Sequence, residues 1–301
     1  MKIDKIAIAC FKKDMNLLKP CVASIRYWYP NVEIFLIKDY SQGDFSTEEM
    51  EKAFGVKDFP TDTRQFGWGW GKFALLLAKQ KERYLFLDSD VVFLGPVLDE
   101  LAKYPEDFVV TGMQEKDKFN GTINGHYIDM KKIETFDPSY QYPGYGFNTG
   151  QIILTSGIVN KEDCASVVEF EPKFRSRHPE IFKHADQGVL NYVLVKAAQK
   201  GKANIRYADF WIWPGLPEAN AIDLEGIRRK KGIPYILHWA GVKPVDFRRF
   251  PRYDILRFYE DFYYAKVPNG KWKQRWKYYT RLAIVKAKVL KYTLLRRQYN
   301  K

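Results

Sequence analysis

The sequence has little cysteine and no long apolar run. Only Cys10, Cys21 and Cys164 are present among 301 residues, an odd number without metal-ligand spacing. A disulfide framework or a zinc site is therefore not expected, and a reducing compartment is. No apolar run reaches the roughly 18 residues of a membrane-spanning helix, and the stretch MKIDKIAIACF is interrupted too early by Asp4 to read as a signal peptide. These absences predict a cytoplasmic protein. Apolar residues at 46% and charged residues at 28% exclude the disordered and fibrous classes. At roughly 100 to 200 residues per domain, the length allows one large domain or two small ones.

Acidic residues are missing from one place. From Lys271 to Lys301 there are 11 Lys or Arg and no Asp or Glu, so the rest of the chain is nearly neutral with 38 basic against 36 acidic groups. The net charge of +13 therefore belongs to one segment and gives no reason to expect a nucleic-acid partner. Read as a helix, this segment places Tyr278, Leu282, Val285, Val289 and Tyr292 on one apolar stripe. Lys277, Arg281 and Lys288 flank it on one side, Lys286 and Arg297 on the other, and Trp272 and Trp276 precede it. Tryptophan and tyrosine favour the headgroup layer, and each basic residue near an anionic surface contributes about 1 kcal/mol, so the pattern describes an interfacial helix on anionic lipid. The alternative is a helix packed on its own domain with a solvated basic face.

Aromatic residues are plentiful at 16%, more than a core of this size needs, so some rings are expected to face ligands or lipid. To about residue 250, short apolar strands alternate with helix-like stretches. KIAIACF, VEIFLIK, RYLFLDSD, FVVTGM, GQIILT and YILHWA read as strands, and NLLKPCVASIRYWY, WGKFALLLAKQK and HADQGVLNYVLVKAAQK as helices. The pattern predicts an α/β fold, a mainly parallel sheet with helices on both faces. The expected division is a catalytic domain over 1–255 and a basic aromatic tail over 256–301. In such sheets ligands bind beyond the carboxyl ends of the strands.

RYLFLDSDVVFL is an apolar strand that suddenly presents Asp88, Ser89 and Asp90. Residues i and i+2 of a strand point the same way, so two carboxylates are aimed together. Side by side they repel unless a cation joins them, and hard oxygen ligands suit Mg²⁺ or Mn²⁺ accompanied by phosphates. The spacing alone is weak; its place between two apolar runs makes it specific.

YLFLDSDVVFLGPVLDEL resembles the Asp-x-Asp segment of nucleotide-sugar glycosyltransferases of the GT-A fold, in particular the retaining family-8 enzymes similar to glycogenin and bacterial lipopolysaccharide galactosyl- and glucosyltransferases. GFNTGQIIL resembles their Asn-x-Gly strand, HADQGVLN their Asp-Gln helix start and LHWAGVKP their His-x-x-Gly-x-x-Lys-Pro segment, all in the right order. The resemblance covers roughly residues 5 to 246. It implies a Rossmann-like catalytic domain that transfers a hexose from a nucleoside diphosphate sugar, UDP foremost, to a glycan or glycolipid acceptor with retention. It also implies surface polysaccharide or lipopolysaccharide synthesis at the inner face of the cytoplasmic membrane.

The same resemblance makes His238 the third metal ligand beside Asp88 and Asp90, and the imidazole favours Mn²⁺ over Mg²⁺. Gly241 lets backbone approach the diphosphate and Lys243 brings it a positive charge. Asp186 and Gln187 fall in the sugar pocket, where Gln187 stabilises an oxocarbenium-like centre by its dipole. As plain sequence, Asp186 could equally be a helix N-cap. Ala9, Cys10, Lys72, Ser89 and Asn148 fall at donor-contacting positions, with Asn148 as readily a turn residue. Trp68 and Trp70 shape that pocket or pack in the core, and Trp211 and Trp213 offer a sugar platform. The polar stretch from Thr111 to Gly146 reads as a long acceptor-side loop.

The chain departs from the family pattern in two places. ACFKKDMN brings Asp14 late where relatives carry an Ala-x-Asp-x-Asn run, and Val245 and Asp246 stand where a tryptophan usually follows Lys-Pro. Two other readings stay open on sequence. One is a sugar-nucleotide nucleotidyltransferase, which would need a glycine-rich loop that ACFKKDMN lacks. The other is a non-catalytic membrane- or polyanion-binding protein, against which the retained Asp88, Asp90, His238 and Lys243 speak.

Overall fold

The computed structural model describes residues 3, 5–64, 66–67, 69–241, 243–244 and 246–299, the side chains of 289–299 excepted. Trp68, Val245 and the side chains of Val289, Tyr292 and Arg297 thus lie outside the described residues.

The strands are β1 (Lys5–Phe11), β2 (Glu33–Asp39), β3 (Val56–Asp58), β4 (Arg83–Asp88), β5 (Val91–Phe93) and β6 (Phe108–Gln114), then β7 (Tyr145–Thr155), β8 (Val168–Glu169), β9 (Arg175–Ser176), β10 (Ile205–Tyr207), β11 (Trp211–Ile212) and β12 (Ile236–His238). The first helices are α1 (Met15–Trp28), α2 (Glu48–Phe54), α3 (Lys72–Leu76), α4 (Val97–Leu101), α5 (Gly121–His126) and α6 (Met130–Phe136). They are followed by α7 (Lys161–Cys164), α8 (Asp186–Gln199), α9 (Leu224–Arg228), α10 (Tyr253–Lys266) and α11 (Gly270–Tyr299).

Seven strands form the main sheet in the order β10-β6-β7-β4-β1-β2-β3. Its neighbours pair in parallel except β7, which runs antiparallel to β4 and β6. The mainly parallel sheet expected from the sequence is present. Its strands alternate between two cores: Ile6, Ile8, Leu85 and Leu87 join one, while Ala7, Tyr84 and Phe86 join the other. That explains why the strands read as continuously apolar, since neither face meets water. Each fully buried aliphatic or aromatic side chain contributes roughly 1.5–3 kcal/mol.

A second sheet, β11-β12-β5, lies beyond the end of β4. β12 is antiparallel to β5 with His238 opposite Val91, so the register delivers the histidine next to Asp90. The stretch from Thr111 to Gly146 is not a long loop. It contains the end of β6, α5 and α6, and each helix is capped by a side chain, Asn120 accepting from the Thr122 N–H and Asp129 from the Lys132 N–H.

α10 packs on α1 and belongs to the core. Tyr259 and Tyr263 are fully buried, and the Tyr259 hydroxyl donates to the Phe93 carbonyl at 2.5 Å while accepting from Trp28 Nε1 at 3.0 Å. α11 follows and packs in turn against α10. No described helix is long and apolar enough to cross a membrane.

Candidate functional site

β4 ends at Asp88, and a tight turn through Ser89 and Asp90 leads into β5. The two carboxylates are therefore brought together by a turn at the strand end and not, as the i and i+2 spacing suggested, by the pleat. Oxygens of Asp88 and Asp90 and a ring nitrogen of His238 all lie within 4.8 Å of one another. His238 Nε2 is 3.2 Å from Asp90 Oδ1. Its Nδ1 is 2.7 Å from Gln151 Oε1, which fixes the ring and leaves Nε2 turned to the carboxylates.

A cradle lies beneath this cluster. A Cβ at Gly150 would stand 2.4 Å from His238 Cε1, 2.7 Å from Asp88 Oδ2 and 2.9 Å from Asn148 Oδ1, so only glycine fits. Asn148 Oδ1 accepts from the Gly150 N–H at 2.7 Å and stays beside the cluster. Two carboxylates and one imidazole form a donor set for a divalent ion, and the residues present fit Mn²⁺ or Mg²⁺.

Charge in the cleft is densely coupled. Burial works to raise the pKa of Asp90, yet His238 and Lys243 outweigh it and hold the carboxyl well below the usual range. Lys243 Nζ donates to Asp90 Oδ2, to the Trp239 carbonyl at 2.9 Å and to the Gly241 carbonyl at 3.0 Å. Gly241 has φ +92° with open space around it, so it is needed there for conformation and not for room. Burial and the adjacent Asp90 raise Asp88 against the pull of Lys72.

Lys72 opens α3 and is buried. Its ammonium reaches Asp186 Oδ2 at 2.6 Å, Thr149 Oγ1 at 3.0 Å and Asp88 Oδ1 at 3.6 Å. Burial alone would lower its pKa, and Asp186 and Asp88 overcome that and raise it. Asp186 is the first residue of α8 but caps nothing with its side chain; the N-cap is Ala185. His184 and Ala185 have φ of 51° and 53°, a strained entry that turns Asp186 inward to Lys72. Gln187 is half-buried and donates to the His126 carbonyl at 2.9 Å, tying the end of α5 to the start of α8.

Asp88, Asp90, His238, Lys243, Lys72, Asp186 and Asn148 are thus brought into one cleft. Ser89 is buried beside it, 3.4 Å from Asp14 Oδ2. Ala9 pairs with Asp88 in the sheet register. Cys10 points the other way, into the core, and burial pushes its thiol far up in pKa, so only its backbone can serve a ligand. Trp70 is buried against Phe73, which makes it core. Trp211 meets the His238 ring edge-on at 6.0 Å, and Trp213 is exposed.

Four participants were not singled out from sequence. Thr149 and Gln151 are buried polar residues in an otherwise apolar strand, a signal that was available. Gly69, φ +79°, leaves room for the Asp186 carboxylate 2.8 Å from where its Cβ would be. Asp14, dismissed as late, lies on the cleft, where burial and Asp90 raise its pKa to about 6.

Residues 5–162 match the model of glycosyl transferase family 2. No characterised protein sequence matches the chain significantly. Among solved structures, the WbbM bifunctional glycosyltransferase superposes with a TM-score of 0.58 at 15% identity, over 93% of this chain and 52% of that one. The glycosyltransferase GlyE of Streptococcus pneumoniae TIGR4 gives 0.52 at 15% identity, over 86% and 60%. The galactosyltransferase LgtC in complex with donor and acceptor sugar analogues gives 0.53 at 15% identity, over 90% and 99%. A second LgtC structure, an active-site glutamine-to-glutamate mutant, gives 0.55 at 15% identity, over 89% and 99%. The chain spans only 52% to 60% of the length of WbbM and GlyE. The matching model is that of family 2, and the LgtC likeness is of the family-8 type that the motifs resemble; both have the GT-A fold. The chain belongs to glycosyl transferase family 2 and has the GT-A fold.

Proposed function

We propose that the protein is a metal-dependent hexosyltransferase that takes its sugar from a nucleoside diphosphate, UDP foremost, and passes it with retention to a glycan or glycolipid acceptor at a membrane surface. The observation that carries this reading is the cluster of Asp88, Asp90 and His238 within 4.8 Å at the carboxyl end of the sheet. Those three would hold the ion, Mn²⁺ in preference to Mg²⁺ because of the imidazole, and it would supply positive charge at the departing diphosphate. Lys243, held beside Asp90, supplies a second positive charge there. Ser89, Gly241 and the backbone of Ala9 and Cys10 line the path of the nucleotide.

The Lys72–Asp186 pair marks the sugar end of the cleft. Asp186 is already shared with Lys72 and Thr149, which suits it to orient sugar hydroxyls and not to deprotonate an acceptor. Gln187 is assigned to the developing oxocarbenium charge, which it meets with an amide dipole. LgtC also carries a glutamine in its active site. An amide and an engaged carboxylate favour attack from the leaving-group side, with a phosphate oxygen accepting the acceptor's proton.

α11 is assigned to an anionic membrane surface at the inner face of the cytoplasmic membrane, but through a different face from the one expected. Tyr278, Leu282 and Val285 line a groove against α10 and its approach. The outer face carries Trp272 and Trp276, each 64% exposed, and Tyr279, 62% exposed. The division of labour is a catalytic body and a basic aromatic segment that seats it on lipid.

The test is turnover. Incubation with α-linked UDP- and GDP-hexoses, with Mn²⁺ and with chelator, should release nucleotide from one donor in a metal-dependent way. Proton NMR of the product should show an α linkage; a β linkage overturns retention, and nucleotide release unaffected by chelator overturns the metal role.

A further inference from the structure

The inner face of α11 is held to the body by a ladder of charge. Lys273 pairs with Glu49, Gln274 donates to Asp261 at 2.6 Å, and Lys277 pairs with Glu260 at 2.6 Å. One turn further, Arg281 makes no direct ion pair with a carboxylate among the described residues, although Glu260 and Asp246 are close enough to act on it. Its guanidinium lies 3.2 Å over the Phe247 ring, and its Nη1 is buried without a hydrogen-bond partner among the described residues. The two acids that line the groove with it are engaged elsewhere, Asp246 by Arg248 at 2.7 Å and Glu260 by Lys277 at 2.6 Å. The Phe247 ring face offsets part of that charge, and an anion beside the half-buried guanidinium would offset the rest.

Arg281 lines the groove between α10 and α11, together with Arg248, Tyr253, Tyr278, Leu282 and Val285. A second hollow along the same flank is lined by Arg257, Lys271, Arg275, Tyr278 and Tyr279. The flank is thus cationic and aromatic, and the groove is half apolar. A planar guanidinium fork matches phosphate oxygens. Inorganic phosphate would leave Leu282 and Val285 uncovered, whereas an amphiphile covers both halves. The exposed rings of Trp272, Trp276 and Tyr279 on the same helix bring a lipid interface within reach.

We propose that the α10–α11 groove binds the phosphodiester of an anionic membrane phospholipid, with Arg281 receiving the phosphate oxygens and Leu282 and Val285 the upper acyl chain. The inference rests on the membrane reading of α11 and makes that contact a specific one in place of a diffuse attraction.

The test uses the full chain and flotation with vesicles of phosphatidylcholine, with and without phosphatidylglycerol. Arg281→Gln should bind phosphatidylglycerol vesicles about ten-fold more weakly than the parent, and Arg281→Lys, which keeps the charge but loses the fork, should recover only part of that loss; full recovery by lysine would mean a diffuse attraction and overturn the groove assignment. Dihexanoyl phosphatidylglycerol below its micelle concentration should raise the Tm of the parent but not of Arg281→Gln, a comparison that also verifies that the variant folds. If Arg281→Gln floats as well as the parent while Trp272→Ala with Trp276→Ala does not, the groove assignment falls and the membrane reading survives. If inorganic phosphate raises Tm as much as the short-chain lipid, the groove is a free-anion site and the lipid assignment is overturned. If the parent itself does not float on phosphatidylglycerol vesicles, the membrane reading fails and the groove assignment fails with it.

Discussion

The cleft and the C-terminal helix carry opposite surpluses of buried charge. Around the cleft, four carboxylates, Asp14, Asp88, Asp90 and Asp186, meet only the ammonium groups of Lys72 and Lys243 among the described residues. On α11 the helix itself has no acid, and its cations must borrow Glu49 and Glu260 from α2 and α10. Each surplus is opposite in sign to the partner proposed for its region, a divalent cation in the cleft and an anion at the helix. The cost of a buried unmatched charge makes the surplus informative, because structure alone would have selected balanced pairs. Burial pushes Lys277 down to about 8 even with Glu260 beside it, which shows how little screening the inner face of α11 enjoys.

The comparison can be broken most forcefully at Asp90. Asp90→Ala should lower kcat/KM by about a thousand-fold, roughly 4 kcal/mol, and remove metal dependence, as measured by initial rates of nucleotide release. Lys72→Met leaves Asp186 and Asp88 facing each other in a buried site and should cost about 3 kcal/mol of stability by denaturant titration. Lys277→Met, whose carboxylate partner also has Arg257 at 3.9 Å, should cost clearly less, and equal costs would dissolve the contrast. Gly150→Ala should leave the fold intact yet slow turnover about thirty-fold, roughly 2 kcal/mol, because His238 and Asp88 must move apart.

Smaller effects sharpen it. Trp272→Ala and Trp276→Ala should each weaken vesicle flotation by about 1 kcal/mol without moving Tm, since both rings face solvent. Asp14→Asn probes the carboxylate surplus through pH. The folded protein binds the Asp14 proton more tightly than the unfolded chain, so this group's stabilisation is complete below 3.8 and is lost as pH rises through about 6. With chelator present, Asp14→Asn should therefore raise Tm by about 2 °C at neutral pH, after allowance for solvent screening, and by nothing below that window.

Much of this was legible in the sequence, for identifiable reasons. Strands such as Arg83–Asp88 are buried on both faces, so their continuous apolar runs announced a parallel sheet. Asp88, Asp90, His238, Lys243, Lys72 and Asp186 stand in short local motifs, and the register of β12 on β5 does the rest. Contacts that depend on which way a strand residue turns were not legible: Thr149 and Gln151 reveal their roles only once β7 lies against Lys72, Asp186 and His238. The direction of the Cys10 side chain was hidden in the same way. Periodicity identified α11 as amphipathic but could not say which face meets the body, because Tyr278, Leu282 and Val285 make as good a stripe as Trp272, Trp276 and Tyr279. The helices α5 and α6 escaped because each is about two turns long and is held by Asn120 and Asp129 caps in place of an apolar stripe.

The central claim is that Asp88, Asp90 and His238 join a metal to a nucleotide diphosphate. Its most direct test is a thermal-shift titration with UDP, GDP and CDP, each with and without Mn²⁺. A ligand at about 100 times its Kd adds roughly 2.7 kcal/mol, several degrees at this chain length. The account predicts that UDP raises Tm only when Mn²⁺ is present and that Asp90→Ala abolishes the shift. A parent protein whose Tm no nucleotide moves in the presence of metal, or an Asp90→Ala variant that responds as the parent does, would contradict it.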